Sequence, residues 1–78
     1  MPQEVHLSDI DINITQIDRF GDKTHYKGKV EEIWMDQERH PYQITIAFGG
    51  MRKRIQPKFE NRKMIFKSRV FDYEIEVD

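Results

Sequence analysis

Tyr42-Gln43-Ile44-Thr45-Ile46-Ala47-Phe48-Gly49-Gly50-Met51-Arg52-Lys53-Arg54-Ile55-Gln56-Pro57 is the stretch whose reading decides the fold class. Tyr42, Ile44, Ile46 and Phe48 alternate with Gln43, Thr45 and Ala47, the period-two pattern of a half-buried strand. Gly49-Gly50 then supplies a two-residue hairpin turn, because the turn types that suit twisted strands need positive φ, which glycine reaches without a Cβ clash. With those two residues as the loop, Phe48 faces Met51, Ala47 faces Arg52, Ile46 faces Lys53, Thr45 faces Arg54 and Ile44 faces Ile55. One face is then apolar, and Arg52 and Arg54 share the other. Lys53 falls on the apolar face, so either its ammonium extends past the core edge or the loop is longer than two residues.

Upstream, Asp9 to Thr15 is another strict alternation, with Ile10, Ile12 and Ile14 on one face and Asp9, Asp11 and Asn13 toward water. Ile17 and Phe20 break the parity, which predicts a bulge or bend near Gln16, and Gly21-Asp22-Lys23 reads as a turn. Residues 1–8 read as a short lead-in. A second strand spans about Thr24 to Met35. Tyr26, Gly28 and Val30 share one face and Ile33 and Met35 the other, so a bulge is expected at Glu31-Glu32, with Trp34 on the less buried side or at an edge. Gly28 inside a strand marks a bend or the close approach of another backbone. Asp36 to Pro41 is a polar loop.

Downstream, Lys58 to Lys63 reads as a loop or hairpin turn in which Asn61 takes positive φ. Met64 to Val77 reads as one long strand that changes parity near Ser68 to Val70, as a strand joining two halves of a small barrel would. No stretch sustains a helical apolar period. The expected architecture is all-β, a single domain over residues 1–78: a five- or six-stranded antiparallel barrel or strongly bent sheet, SH3-like or OB-like, with almost no helix. The run Tyr26-x-Gly28-x-Val30-x-x-Ile33, a polar loop, and Tyr42-x-Ile44-x-Ile46-x-Phe48-Gly49-Gly50 resembles the middle of SH3-like barrels of the Tudor or chromo-barrel sort. That resemblance implies ligand recognition in a groove or aromatic cage, but fold alone does not settle function.

Composition narrows the function classes. At 78 residues, with 37% hydrophobic and 35% charged residues, the chain supports one modest core. It has no cysteine, which removes disulfides, thiolate metal sites and a cysteine nucleophile. A cytoplasmic location is expected, because Met1 to His6 lacks the features of a secretory leader and no apolar run reaches membrane-spanning length. His6, His25 and His40 are scattered, and Ser8 and Ser68, the only serines, sit in no nucleophile motif. Gly49-Gly50 does not continue as a phosphate loop. The expectation is therefore a non-enzyme without metal or cofactor.

Charge segregation carries the remaining signal. Residues 1–50 hold nine acids against five bases, residues 52–69 hold eight bases against Glu60 alone, and Asp72, Glu74, Glu76 and Asp78 close the chain. Basic residues interleaved with aromatics suit the phosphates and stacked bases of nucleic acid. On this reading Arg52, Arg54, Lys58, Arg62, Lys63, Lys67 and Arg69 contact phosphates, and Trp34, Tyr42 or Phe59 stacks a base. If the strand carrying Lys67 and Arg69 lies beside the hairpin, a cationic stripe forms. The alternative is a protein-interaction or accessory subunit that recognises an acidic partner or an edge strand, including a homodimer. A third reading is that the bases are neutralised by neighbouring acids and that Phe59 and Phe66 belong to the core.

Overall fold

The computed structural model describes residues 4–78 and contains seven strands, all antiparallel: β1 (Glu4–Ile17), β2 (Lys23–Met35), β3 (Pro41–Phe48), β4 (Met51–Ile55), β5 (Lys58–Glu60), β6 (Lys63–Lys67) and β7 (Asp72–Val77). Their order in the single sheet is β4-β3-β2-β1-β7-β6-β5. The expected all-β class holds. Although β4 and β5 lie at opposite edges of this order, only Gln56 and the buried Pro57 join them, so the sheet must curl until its edges approach. Side chains report the same closure. Phe48 on β3 and Tyr73 on β7 are three strands apart, which in a flat sheet is about 14 Å at the usual strand spacing. Their ring centroids lie 6.1 Å apart.

Inside the curl sit Ile12, Ile14, Val30, Ile44, Ile46, Phe48, Ile55, Tyr73 and Ile75, with Tyr26, Ile33, Met64, Phe66 and Phe71 packed against them. The Gly49-Gly50 hairpin has the expected register, Phe48 facing Met51 through Ile44 facing Ile55, and both glycines have positive φ. Lys53 accordingly points inward. Its Nζ lies 5.1 Å from the Tyr73 ring centroid and donates to Tyr73 Oη at 3.3 Å, so the ammonium has a hydroxyl and a ring face as partners inside the curl. Gly28 is the close approach anticipated for it: a Cβ there would lie 2.9 Å from Phe48 Cβ and closer still to the Ala47 carbonyl oxygen.

The β2 bulge also falls where the change of parity requires it. Between Val30 and Glu32 the pairing with β3 shifts by one residue, which restores Ile33 to the core opposite Ile44. Trp34 lies on the outward face of an interior strand, half-buried.

Several local expectations are corrected. The chain is already strand at Glu4, so residues 4–8 are not a lead-in; residues 1–3 lie outside the described residues. The irregularity of β1 lies between Leu7 and Ile10 rather than near Gln16, and the ladder stays regular through Ile17. Ile10, expected inside, is 40% exposed because β7 does not extend to cover it. Lys23 is the first residue of β2, and the connection is Asp18 to Asp22.

The run Met64 to Val77 is two strands. Ser68 breaks it: its Oγ donates to the Phe71 carbonyl at 2.8 Å and accepts from the Phe71 N–H at 3.2 Å, and its own N–H donates to Phe71 O, which folds β6 back onto β7. Asn61 does take positive φ, and Arg62 joins it, forming a two-residue turn between β5 and β6.

Candidate nucleic-acid interface

Apart from Lys53, which points inward onto Tyr73, the bases of residues 52–69 divide into two groups according to what the curled sheet places beside them. Arg52 projects outward from β4, and its Nε lies 2.6 Å from Glu31 Oε1, a charge pair that is not aligned as a hydrogen bond. The β2 bulge makes this pair possible, since it turns Glu31 and Glu32 to the same outward face, where Glu32 Oε1 accepts from Thr45 Oγ1 at 2.9 Å. Arg54 stacks its guanidinium 4.9 Å over the Trp34 ring. Gln56 Nε2 donates to Gln43 Oε1 at 3.3 Å beside it. Lys63 lies 3.1 Å from Glu76 and 3.8 Å from Glu74. The hydrogen bond to Glu76, then the charges of Glu76 and Glu74, hold the Lys63 ammonium above the ordinary lysine pKa. Arg52, Arg54 and Lys63 are therefore engaged within the protein.

The second group is Lys58, Arg62, Lys67 and Arg69, all exposed and without a carboxylate within 4 Å among the described residues. Lys58 pairs across with Ile65, and Lys67 is two residues further along β6, so both lysines stand on one face. With Gln56, Glu60, Ile65 and Phe66 they line a groove of about 330 Å³. Arg62 occupies the β5–β6 turn, and Arg69 the β6–β7 loop. The stripe expected from strand pairing does not form, because β4 pairs only with β3 whereas β6 lies between β5 and β7.

The stacking candidates separate similarly. Tyr42 is half-buried, and Trp34 lies under Arg54 with its indole N–H unpartnered. Phe59 is 52% exposed, and Phe66 packs against the core.

A further exposed surface lies at one end of the curled sheet. Ile17 faces both Lys23 and Asp72, so the β1–β2 and β6–β7 loops lie at the same end of the barrel. The β1–β2 loop is braced by Asp18, whose Oδ1 accepts from the N–H groups of Phe20 at 2.8 Å and Asp22 at 2.9 Å, while its backbone closes onto Gly21 and Asp22. This brace leaves Phe20 83% exposed. Exposed Arg19 and Lys23 flank it, and Val70 and Arg69 occupy the companion loop. Asp22 and Asp72 are the exposed acids at this end, Asp72 directly opposite Lys67. The available signal was the end of the alternation at Ile17 followed by Asp-x-Phe-Gly, an Asp-headed turn with an apolar residue at its tip.

The histidines have local partners: His6 with Glu4, His25 with Thr15, and His40 with Glu38. Compared with protein-family models, curated proteins and solved structures, the chain finds no match.

Proposed function

We propose that this protein is a small non-enzymatic binding module that takes single-stranded nucleic acid across the barrel end formed by the loops at Asp18–Asp22 and Ser68–Phe71 and along the adjoining face of β5 and β6. The observation that carries this reading is Phe20, an aromatic side chain held in solvent by a braced loop, flanked in the chain by Arg19 and Lys23 and at the same end of the sheet as Lys67 and Arg69. An exposed phenyl ring is a stacking platform for an unpaired base, and the basic side chains at the same end of the sheet can meet the phosphates of the bound strand. Lys58 and Arg62 extend the track. Arg52, Arg54 and Lys63, already engaged by Glu31, Trp34 and Glu74 with Glu76, contribute less.

The test is anisotropy of labelled oligonucleotides at low and physiological salt. Binding should weaken with salt, with a log–log slope of about 0.7 per phosphate contacted. Phe20→Ala should weaken it by about 1–3 kcal/mol with little change in slope, whereas Lys67→Ala with Arg69→Ala should flatten the slope. No binding at low salt to single- or double-stranded probes ends the proposal. A second reading, a protein-interaction module, is favoured by the free edge of β1.

A further inference from the structure

β1 is longer than the strand beside it. Pairing with β7 begins at Ile12, and Asp78 N–H adds one bond to Asp11 O, so among the described residues Glu4 to Ile10 have a neighbouring strand only on the β2 side. The other edges of the sheet are guarded in the usual ways. β4 carries Arg52, Lys53 and Arg54, and β5 is only three residues long and includes Lys58 and Glu60. The β1 extension contains no lysine, arginine or proline between Glu4 and Ile10; its acids are Glu4 and Asp9, and the irregularity between Leu7 and Ile10 limits the regular open edge to Glu4–Ser8. It also leaves Val5 43%, Leu7 84% and Ile10 40% exposed. An unpaired backbone edge that carries apolar Val5 and Leu7 on one face is a template for another strand.

We infer that the occupant is a second copy of this chain, its Glu4–Ser8 segment pairing antiparallel with that of the first and His6 on the two-fold axis. This deepens the protein-partner reading and is independent of nucleic-acid binding. Self-complementarity selects both the partner and the register. With His6 on the axis, Val5 faces Leu7 of the other copy twice, on the outward face beside Trp34, and Glu4 faces a Ser8 hydroxyl twice. Moving the axis to Leu7 sets Val5 against Asp9 and Glu4 against Ile10. Moving it to Ser8 sets Leu7 against Asp9. Both alternatives oppose apolar side chains to acids, which sheets disfavour.

The absence of cysteine makes a thiol test specific. Directly opposed residues bring their Cβ atoms close to disulfide range. His6→Cys should therefore form a disulfide-linked dimer on the order of 10²-fold faster than a Lys27→Cys control on the outward face of β2, since paired thiols share an effective millimolar concentration against a micromolar bulk. Mixed Val5→Cys and Leu7→Cys chains should cross-link with each other faster than either does with itself. Sedimentation of the unmodified chain should show its mass moving from 9.5 kDa toward twice that with concentration. Leu7→Lys should hold it at the single-chain mass with its circular dichroism unchanged.

A chain that stays monomeric up to millimolar concentration, with His6→Cys oxidising no faster than the control, overturns the inference. Amide exchange then separates the two failures. Fast exchange at Val5 and Leu7 leaves the edge open to a different protein, whereas protection in a monomer overturns the free edge itself.

Discussion

Gly28→Ala tests the packing that closes β2 onto β3. A methyl group at this position would lie 2.9 Å from Phe48 Cβ and closer to the Ala47 carbonyl oxygen, where ordinary van der Waals contact begins near 3.4 Å. Neither neighbour can yield cheaply. Ala47 O belongs to the β3 backbone in the strand pairing, and Phe48 is 3% exposed and packs on Tyr26 at 5.2 Å and Tyr73 at 6.1 Å. Overpacking of a tight interior costs about 1–3 kcal/mol. The obstruction is backbone, so the upper part of that range applies, and the lower entropy of the unfolded alanine chain returns only about 0.4–1 kcal/mol. The net loss is about 2 kcal/mol. For a domain of this size that is a fall in Tm of roughly 8–16 °C, out of a total stability of about 4–12 kcal/mol.

Thermal unfolding followed by circular dichroism measures the effect, and amide exchange localises it to the Gly28–Phe48 and Val30–Ile46 pairs. Gly21→Ala is the matched control: nothing lies within 4 Å of a Cβ there, and only its φ of +87° resists, at about 1 kcal/mol. A Gly28→Ala protein as stable as the parent, or more stable, would refute the close approach and with it the curl of the sheet at this point.

Three further outcomes follow from particular contacts. Removing the guanidinium in Arg54→Ala uncovers the only tryptophan, Trp34, so its emission should shift to the red and stability should fall by about 0.5–1 kcal/mol; an unchanged spectrum would remove the stacking. Lys29, bonded to Asp9 and drawn by the charges of Asp9 and Asp11, and Lys63, bonded to Glu76, both titrate above the ordinary lysine value of 10.5. Their stabilisation is fully present below that value and is lost as pH rises through the higher folded-state pKa, so urea midpoints should fall on the alkaline side, and less so in Lys63→Met; an equal fall would contradict the pairing. Arg39 adopts φ 63° in the Asp36-headed loop at the place that Gly21 occupies in the Asp18-headed loop. Arg39→Gly should raise stability by a few tenths to about 1 kcal/mol, and a lower Tm would show that the strain is absent.

Local chemistry determined a definite part of this protein. Alternation from Tyr42 to Phe48, two glycines and alternation again suffice to set the β3–β4 register, because turn geometry and side-chain parity are properties of adjacent residues. The parity change between Val30 and Ile33 likewise requires the β2 bulge, and Asn61 requires a turn. The split of Met64 to Val77 was less accessible: its apolar positions fit one bent strand as well as two paired ones, and the Ser68–Phe71 hydrogen bonds decide between them only once β7 has β1 to pair with.

The candidate site depends still more on tertiary structure. Whether Arg52 is a free cation turns on Glu31, which is 21 residues away in the chain and is brought to it by a bulge and two strand pairings. Lys63 turns on Glu74 and Glu76 in the same way, through the β6–β7 pairing. Composition placed eight bases in one segment, but which of them stay free depends on their neighbours in space, and the β2–β3–β4 and β6–β7 pairings set Arg52 beside Glu31 and Lys63 beside Glu74 and Glu76. Strand class and hairpin register were thus settled by neighbours in sequence. Which charges remain free, that the loops carrying Phe20 and Arg69 share one end of the sheet, and that β1 has an edge uncovered among the described residues were settled only when residues far apart in the chain were brought together by the closing of the sheet.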